Sequence, residues 1–261
     1  MKKLMLAFTA VAAFTGSALA ADLPARTYSK APAPMMAPSW TGFYIFGGAG
    51  GGIWDADTRV VTPAGAPLLP VTQKQGGDGW YGTVGVGYDW QFNSSWVAGI
   101  FADGQFGSLK GTLQDQGPFL AGSEKLKTSW AAGVRLGYLV APNVLSYVNG
   151  GYSGSTWSGT TMLDTRTGLA SGIHTNGFDR SGWFVGGGVE NSLNIFGIAA
   201  PGWFMKTEYR AAYYDTKSIP ELFDGTNLSA GANITFKPMV QTISTSLVYR
   251  FNWSGPVVAK Y

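Results

Sequence analysis

The chain has 261 residues, no cysteine, 38 glycines and only 13% charged residues, about half the roughly 25% of an average soluble domain. Without cysteine, zinc-finger, thiol-redox and cysteine-nucleophile chemistry are excluded. The formal charge of +3 becomes +1 once Lys2 and Lys3 are set aside (16 basic against 15 acidic residues), and no Lys/Arg cluster follows them, so no nucleic-acid partner is expected.

Residues 1–20 read as a secretory signal peptide: a basic start at Lys2 and Lys3, an apolar run from Leu4 to Phe14, and the small-x-small site Ala18-Leu19-Ala20. The mature chain is expected to begin at Ala21. Residues 21–38, with Pro24, Pro32, Pro34 and Pro38 among alanines, read as an extended periplasmic tether. No later stretch reaches the roughly 20 unbroken apolar residues of a membrane helix.

From Trp40 onward the pattern predicts eight strands, near 40–53, 79–92, 96–109, 128–140, 145–157, 181–193, 202–215 and 238–251. The connections at 93–95, 141–144 and 194–201 are short. Those at 54–78, 110–127, 158–180 and 216–237 are long, polar and rich in Gly, Thr, Asp and Pro, and are expected to be loops. Short periplasmic turns alternating with long external loops mark a transmembrane barrel rather than a soluble one.

Side-chain alternation supports the same reading, because successive residues of a strand point to opposite faces. In the second strand Trp80, Val84, Val86, Tyr88, Trp90 and Phe92 share one parity, and Tyr81, Thr83, Asp89 and Gln91 the other. In the fourth, Trp130, Ala132, Val134, Leu136, Tyr138 and Val140 oppose Gly133, Arg135 and Gly137. In the seventh, Trp203, Met205 and Tyr209 oppose Lys206, Glu208 and Arg210. In the last, Ile243, Leu247, Tyr249 and Phe251 oppose Thr242, Ser244, Ser246 and Arg250. The third strand is less clean, since Val97 and Phe101 fall on its wet side, and the first and fifth allow no choice of face. An apolar outside, a polar inside and aromatic rims suit an eight-stranded, all-β, antiparallel up-and-down barrel spanning an outer membrane. Outer-membrane lipid, including lipopolysaccharide, is then the expected surrounding partner.

The wet parity collects four acids, Asp89, Asp103, Glu190 and Glu208, and four bases, Arg135, Lys206, Arg210 and Arg250. Eight strands enclose a space that side chains just fill, so this balanced set predicts a plugged lumen, with a narrow solute path as the alternative. Inward glycines are expected to leave room for the long basic side chains. Trp80, Trp90, Trp130, Tyr138, Trp183, Trp203, Tyr249 and Phe251 are assigned to the aromatic girdles.

Motifs for other chemistry are weak. Gly47-Gly48-Ala49-Gly50-Gly51-Gly52 lacks the Lys-Ser/Thr of a phosphate loop. His174 is the single histidine and falls in a predicted loop, as do Glu221 and Asp224. All three are read as solvated, so no metal, cofactor or catalytic set is assigned.

Trp40-Thr41-Gly42-Phe43-Tyr44, Val148-Asn149-Gly150-Gly151-Tyr152, Gly182 to Glu190, and Tyr249-Arg250-Phe251-Asn252-Trp253 together resemble the alphaproteobacterial outer-membrane β-barrel family, the small surface antigens of Brucella and their rhizobial relatives. That resemblance implies an eight-stranded porin-family barrel with a role in envelope integrity and, in some members, host contact or haem binding. The chain also resembles the transmembrane domain of outer-membrane protein A, though not its peptidoglycan anchor. Barrels of this kind commonly end on an aromatic read by the insertion machinery. Here Phe251 is followed by Asn252 to Tyr261. Either the last strand ends near Phe251 and a short tail follows over 254–261, or Tyr261 is the signal; Pro256 favours the first. Three functions remain open: a non-enzymatic structural barrel, a small-solute channel, and a loop-borne receptor or adhesin.

Overall fold

In these strands β-branched and aromatic residues alternate with small or polar ones, so one face can meet an apolar medium while the other packs inward. The computed structural model describes residues 39–115, 119–195 and 198–251. The predicted signal peptide, the tether and the C-terminal tail with Tyr261 lie outside the described residues. Among the described residues there are eleven antiparallel strands: β1 Gly42–Val61, β2 Gln73–Gln91, β3 Trp96–Asp115, β4 Leu120–Ala141, β5 Val144–Trp157, β6 Thr160–Asp164, β7 Ala170–Thr175, β8 Phe178–Ile195, β9 Ile198–Tyr214, β10 Lys217–Phe223 and β11 Ser229–Arg250.

Eight of them, β1, β2, β3, β4, β5, β8, β9 and β11, form a closed ring, because β11 pairs back onto β1 from Tyr44↔Arg250 to Val61↔Asn233. Closure satisfies every ladder and removes the open edges that an apolar medium would not tolerate. The predicted eight-stranded barrel and its outward residues are therefore present. Trp80 is 79% exposed, and Val84, Val86, Trp90, Val134, Trp183, Ile243 and Leu247 also point outward. The unresolved faces now have a direction. Tyr44 and Phe46 of β1 and Leu145, Tyr147 and Asn149 of β5 point inward, whereas Ile45 and Val148 point outward.

The four predicted long loops are corrected. Most of their length is strand: β1, β2, β3, β4 and β11 run well past the expected limits, and β6, β7 and β10 form within 158–180 and 216–237. Where β5, β8 and β9 stop, β6, β7 and β10 take their places. β10 pairs with β11, β7 with β10, β6 with β7, and β6 returns to β4 through Leu120↔Asp164 and Ala121↔Leu163. The barrel thus continues as a second eight-stranded ring, here termed the extension. Turn chemistry confines the remaining connections to tips such as Asp164 to Leu169, where Gly168 adopts φ +72° and its N–H bonds Asp164 O at 2.7 Å.

The polarity of the two faces inverts between barrel and extension. In the barrel the charged residues point inward, among buried rings, and the outer face is apolar. In the extension Trp54, Ala56, Val60, Leu113, Met162, Ile219, Ile234 and Phe236 are buried inside. Asp57, Lys74 and Lys110 point outward, and Lys74 and Asp57 form an exposed ion pair at 3.2 Å. Trp54, Trp157 and Phe236 pack with ring centroids 5.0–5.7 Å apart. The outer surface of the extension is built for water and that of the barrel for lipid. The inversion falls just beyond Trp80, Trp130 and Trp183, where a headgroup belt would lie.

Candidate functional site: the charged lumen

All eight predicted charges point into the barrel and all are buried, Asp89 and Glu190 completely. They form two layers. Arg135 of β4 donates from Nε to Asp89 Oδ1 (2.8 Å), makes a second, closer contact from Nη2 to Asp89 Oδ2, and reaches Glu190 Oε2 from Nη1 (3.1 Å). Arg250 of β11 donates from Nε to Glu190 Oε1 (2.8 Å) and from Nη2 to Asp89 Oδ2 (2.8 Å). Two acids and two bases thus alternate in a closed cycle across the lumen. The second layer lies nearer the extension. Arg210 donates to both oxygens of Asp103 (2.9 and 2.6 Å) and to Glu208 Oε1 (2.8 Å), while Lys206 Nζ stands 3.7 Å from Glu208 Oε2. Charges buried in this way are tolerated because each meets an opposite charge, seven of them through directed hydrogen bonds.

Sequence reasoning missed the neutral members of both layers. Glu208 Oε2 accepts from Tyr147 Oη at 2.8 Å and from Asn149 Nδ2 at 3.0 Å. The Arg135 guanidinium lies 4.4 Å from the Tyr44 ring centre, Arg250 4.4 Å from Trp40, and Lys206 3.3 Å from Phe46. Phe101, whose inward parity was anomalous, packs against Phe184 at 6.0 Å, and Arg210 lies over both rings. The rings supply bulk and a negative face for the cations. The parity of Tyr147 and Asn149 became readable only once β5 had a partner on each side.

The glycines act differently from expectation. A Cβ on Gly85 would collide with the Phe46 ring, on Gly87 with Tyr44, and on Gly133 with Phe184. They seat aromatic rings more than basic chains. Gly99 touches a charged member of the network, since a Cβ there would meet Asp89 Oδ1. Gly99→Ala should cost about 1–3 kcal/mol, because Asp89 is held by two arginines and cannot retreat. Gly47, where a Cβ would find only ordinary contacts at 3.8 Å or more, is the control for the same urea titration.

The outward girdle residues pair across strands at both belt edges. Trp183 stacks on Tyr213 (4.5 Å), Trp130 tilts against Tyr152 (5.9 Å), Trp96 meets Tyr138 edge-on (5.3 Å), and Tyr249 lies between Trp203 and Phe251 (both 5.1 Å). Trp80 and Trp90 stand exposed on β2, Trp90 near its end and Trp80 where the strand passes into the extension.

A second polar group, inside the extension, was not anticipated. Glu124 lies six residues beyond Trp130 along β4, about 20 Å of strand, and is fully buried. It accepts from Thr160 Oγ1 (3.0 Å), the Lys125 N–H (3.2 Å) and Ser158 Oγ (3.5 Å). Burial pushes its carboxyl up to about 7, against the opposing pull of these donors and of Lys127. Glu221, read from sequence as a solvated loop acid, is also buried. Burial, and then its neighbour Asp115, raises its carboxyl well above the usual range. His174, expected in a loop, is on β7 and lies 2.7 Å from Asp224 Oδ1.

These two acids give the extension a pH dependence with a definite sign. An unfolded glutamate ionises near 4.5, whereas folded Glu124 keeps its proton to about 7. Their stabilising effect is complete below about pH 4.5 and declines as pH rises towards 7 and beyond, by on the order of 3 kcal/mol for Glu124. Proteolytic nicking of the extension should therefore increase between about pH 5 and about pH 8, and Glu124→Gln should flatten that rise. Equal nicking at both values would contradict the assignment.

Comparison with known proteins agrees with this architecture. Residues 6–251 match the family model described as the outer membrane protein beta-barrel domain. The chain is 30% identical over 261 residues to the 31 kDa outer-membrane immunogenic protein of Brucella melitensis biotype 1, covering 96% of this chain and 100% of that one, and the same values hold for the protein of that name from Brucella suis biovar 1. The crystal structure of the outer membrane protein OprG from Pseudomonas aeruginosa shares the fold, with a TM-score of 0.50 at 12% identity over 82% of this chain and 99% of that one. The chain therefore belongs to the outer-membrane β-barrel family and is a protein of the Gram-negative outer membrane.

Proposed function

We propose that this protein is a non-conducting, non-enzymatic structural barrel that stabilises the envelope and holds its extension outside the cell. The observation that carries this reading is the two-layer charge network, in which eight buried charges neutralise one another and aromatic rings fill the space between. A solute path would need hydrated, partly unpaired groups along the lumen. Each of these charges is instead buried and committed to an oppositely charged partner, on another strand or, for Lys206 and Glu208, on the same one. Outer-membrane lipid, including lipopolysaccharide, and the insertion machinery acting on the C-terminal strand are the proposed partners. Phe251 stands outward at the end of that strand, with its N–H bonded to Phe43 O at 3.1 Å.

Single-channel recording in planar bilayers tests the reading. The wild-type barrel should be silent, and Arg210→Ala should either stay silent or begin to leak. Discrete conductance steps in the wild type, altered by Arg210→Ala, would establish the small-solute channel instead. The receptor reading has a narrower basis in the hairpin tips, where Leu169, Phe223 and Leu228 are exposed. Deleting 165–169 would test it by abolishing ligand capture without affecting folding.

A further inference from the structure

On the outer face of the extension some charges are matched. Asp57 of β1 pairs with Lys74 of β2 at 3.2 Å and is also the register partner of Lys237 of β11. Arg166 is paired with Asp164 at 2.8 Å. On the outer face of β3 and β4 two bases face each other directly. Lys110 and Lys125 are direct cross-strand partners, and Lys127 follows on the same face of β4 beside a register shift. Like charges placed directly opposite each other in a sheet are destabilising, and no salt bridge to any of the three is formed among the described residues. Two carboxyls are near. Asp78 is the register partner of Lys110 on its other side, and Glu124 acts on Lys127 through the wall from the inside. Neither lies between the lysines. Thr112 and Ser123, an exposed hydroxyl pair next in register, flank the patch on the side away from the membrane. On the membrane side stand the outward rings of Phe106 and Trp130.

We propose that Lys110, Lys125 and Lys127 form a binding site for the phosphate of an outer-leaflet lipid headgroup. The position identifies the source of the phosphate. The three ammonium groups stand on the outer wall immediately beyond the aromatic belt, where a phosphorylated glycolipid presents its anion while its acyl chains lie along Phe106 and Trp130. A phosphate bridging Lys110 and Lys125 turns a repulsive cross-strand pair into a favourable one, and the adjacent hydroxyls suit the sugar that carries it. The site deepens the structural role proposed above and rests on the extension facing outward.

Native mass spectrometry of the detergent-refolded full chain with bisphosphorylated lipid A tests this site. The triple variant K110Q/K125Q/K127Q should lose lipid A binding on the order of tenfold or more, and dephosphorylated lipid A should bind the wild type with a comparable deficit. The control K74Q/K237Q should bind as the wild type does. Retention of each variant's heat-modifiable gel band reports folding, and Lys125→Gln alone, with a smaller loss, serves if the triple variant does not fold. Unchanged binding by a folded triple or single variant, equal binding of the dephosphorylated lipid, or an equal loss in the control would overturn the proposal. Displacement of lipid A by millimolar inorganic phosphate would assign the lysines to a free anion and overturn it too. Surface biotinylation of Lys74 on intact cells reports orientation separately, and bilayer recording reports the plugged lumen separately.

Discussion

Arg135→Ala should destabilise the folded barrel by about 3–5 kcal/mol, the effect expected when one partner of a buried ion pair is removed and the other stays. Arg135 bonds both Asp89 and Glu190, neither of which has any exposed surface. Without it, Arg250 is the remaining cation of that layer, and two carboxylates share one guanidinium inside an apolar wall. Urea unfolding in lipid vesicles, followed by loss of the compact gel band, measures the cost. The double variant Arg135→Ala/Asp89→Ala should be less destabilised than Arg135→Ala alone, because it restores the balance and leaves the Arg250–Glu190 pair intact (2.8 Å). A loss below about 1 kcal/mol in the single variant would mean that water reaches this layer, and the plugged lumen would have to be abandoned.

Val86→Arg should cost about 2–4 kcal/mol for the opposite reason, since it places a charge on the outside, where lipid cannot solvate it. Val86 is 56% exposed on β2, flanked in register by Ile45 and Ala102, between Trp80 and Trp90. The penalty depends on depth, so Thr112→Arg, on the outer wall of the extension, should be nearly neutral in the same titration. Equal costs at the two sites would place the membrane elsewhere on the wall.

The two variants test the two faces of one design. Inside, the charges are affordable only as a set. Outside, the wall changes from lipid-compatible to water-compatible within a few residues of Trp80 and Trp130. Segment 53–60 shows that change in the chain itself: Trp54, Ala56, Thr58 and Val60 turn inward, while Asp55, Asp57 and Arg59 occupy the other parity. The alternation was there to be read. Its composition, with Gly, Thr, Asp and Pro through 54–78, instead suggested a loop, because turn-forming residues are weighed against strands unless a pairing partner is in view. The same bias placed Glu221 in solvent, although β10 buries it beside Asp115.

What the sequence determined by itself is what a period of two can encode: eight membrane strands, the outward aromatic belts, and the inward direction of all eight lumen charges. Parity states which way a side chain points, so those assignments need no knowledge of neighbours. Which charge meets which was decided only by closure of the ring. Arg135 reaches Asp89 and Glu190 from strands 46 and 55 residues away in sequence, and Arg210 reaches Asp103 from 107 residues away. Strand tilt and stagger set the height at which each side chain enters the lumen, and no local pattern carries that information. The extension belongs to the same class. Its ring is completed by β6, β7 and β10, short segments whose ladders exist only because the longer strands beside them have already been brought together.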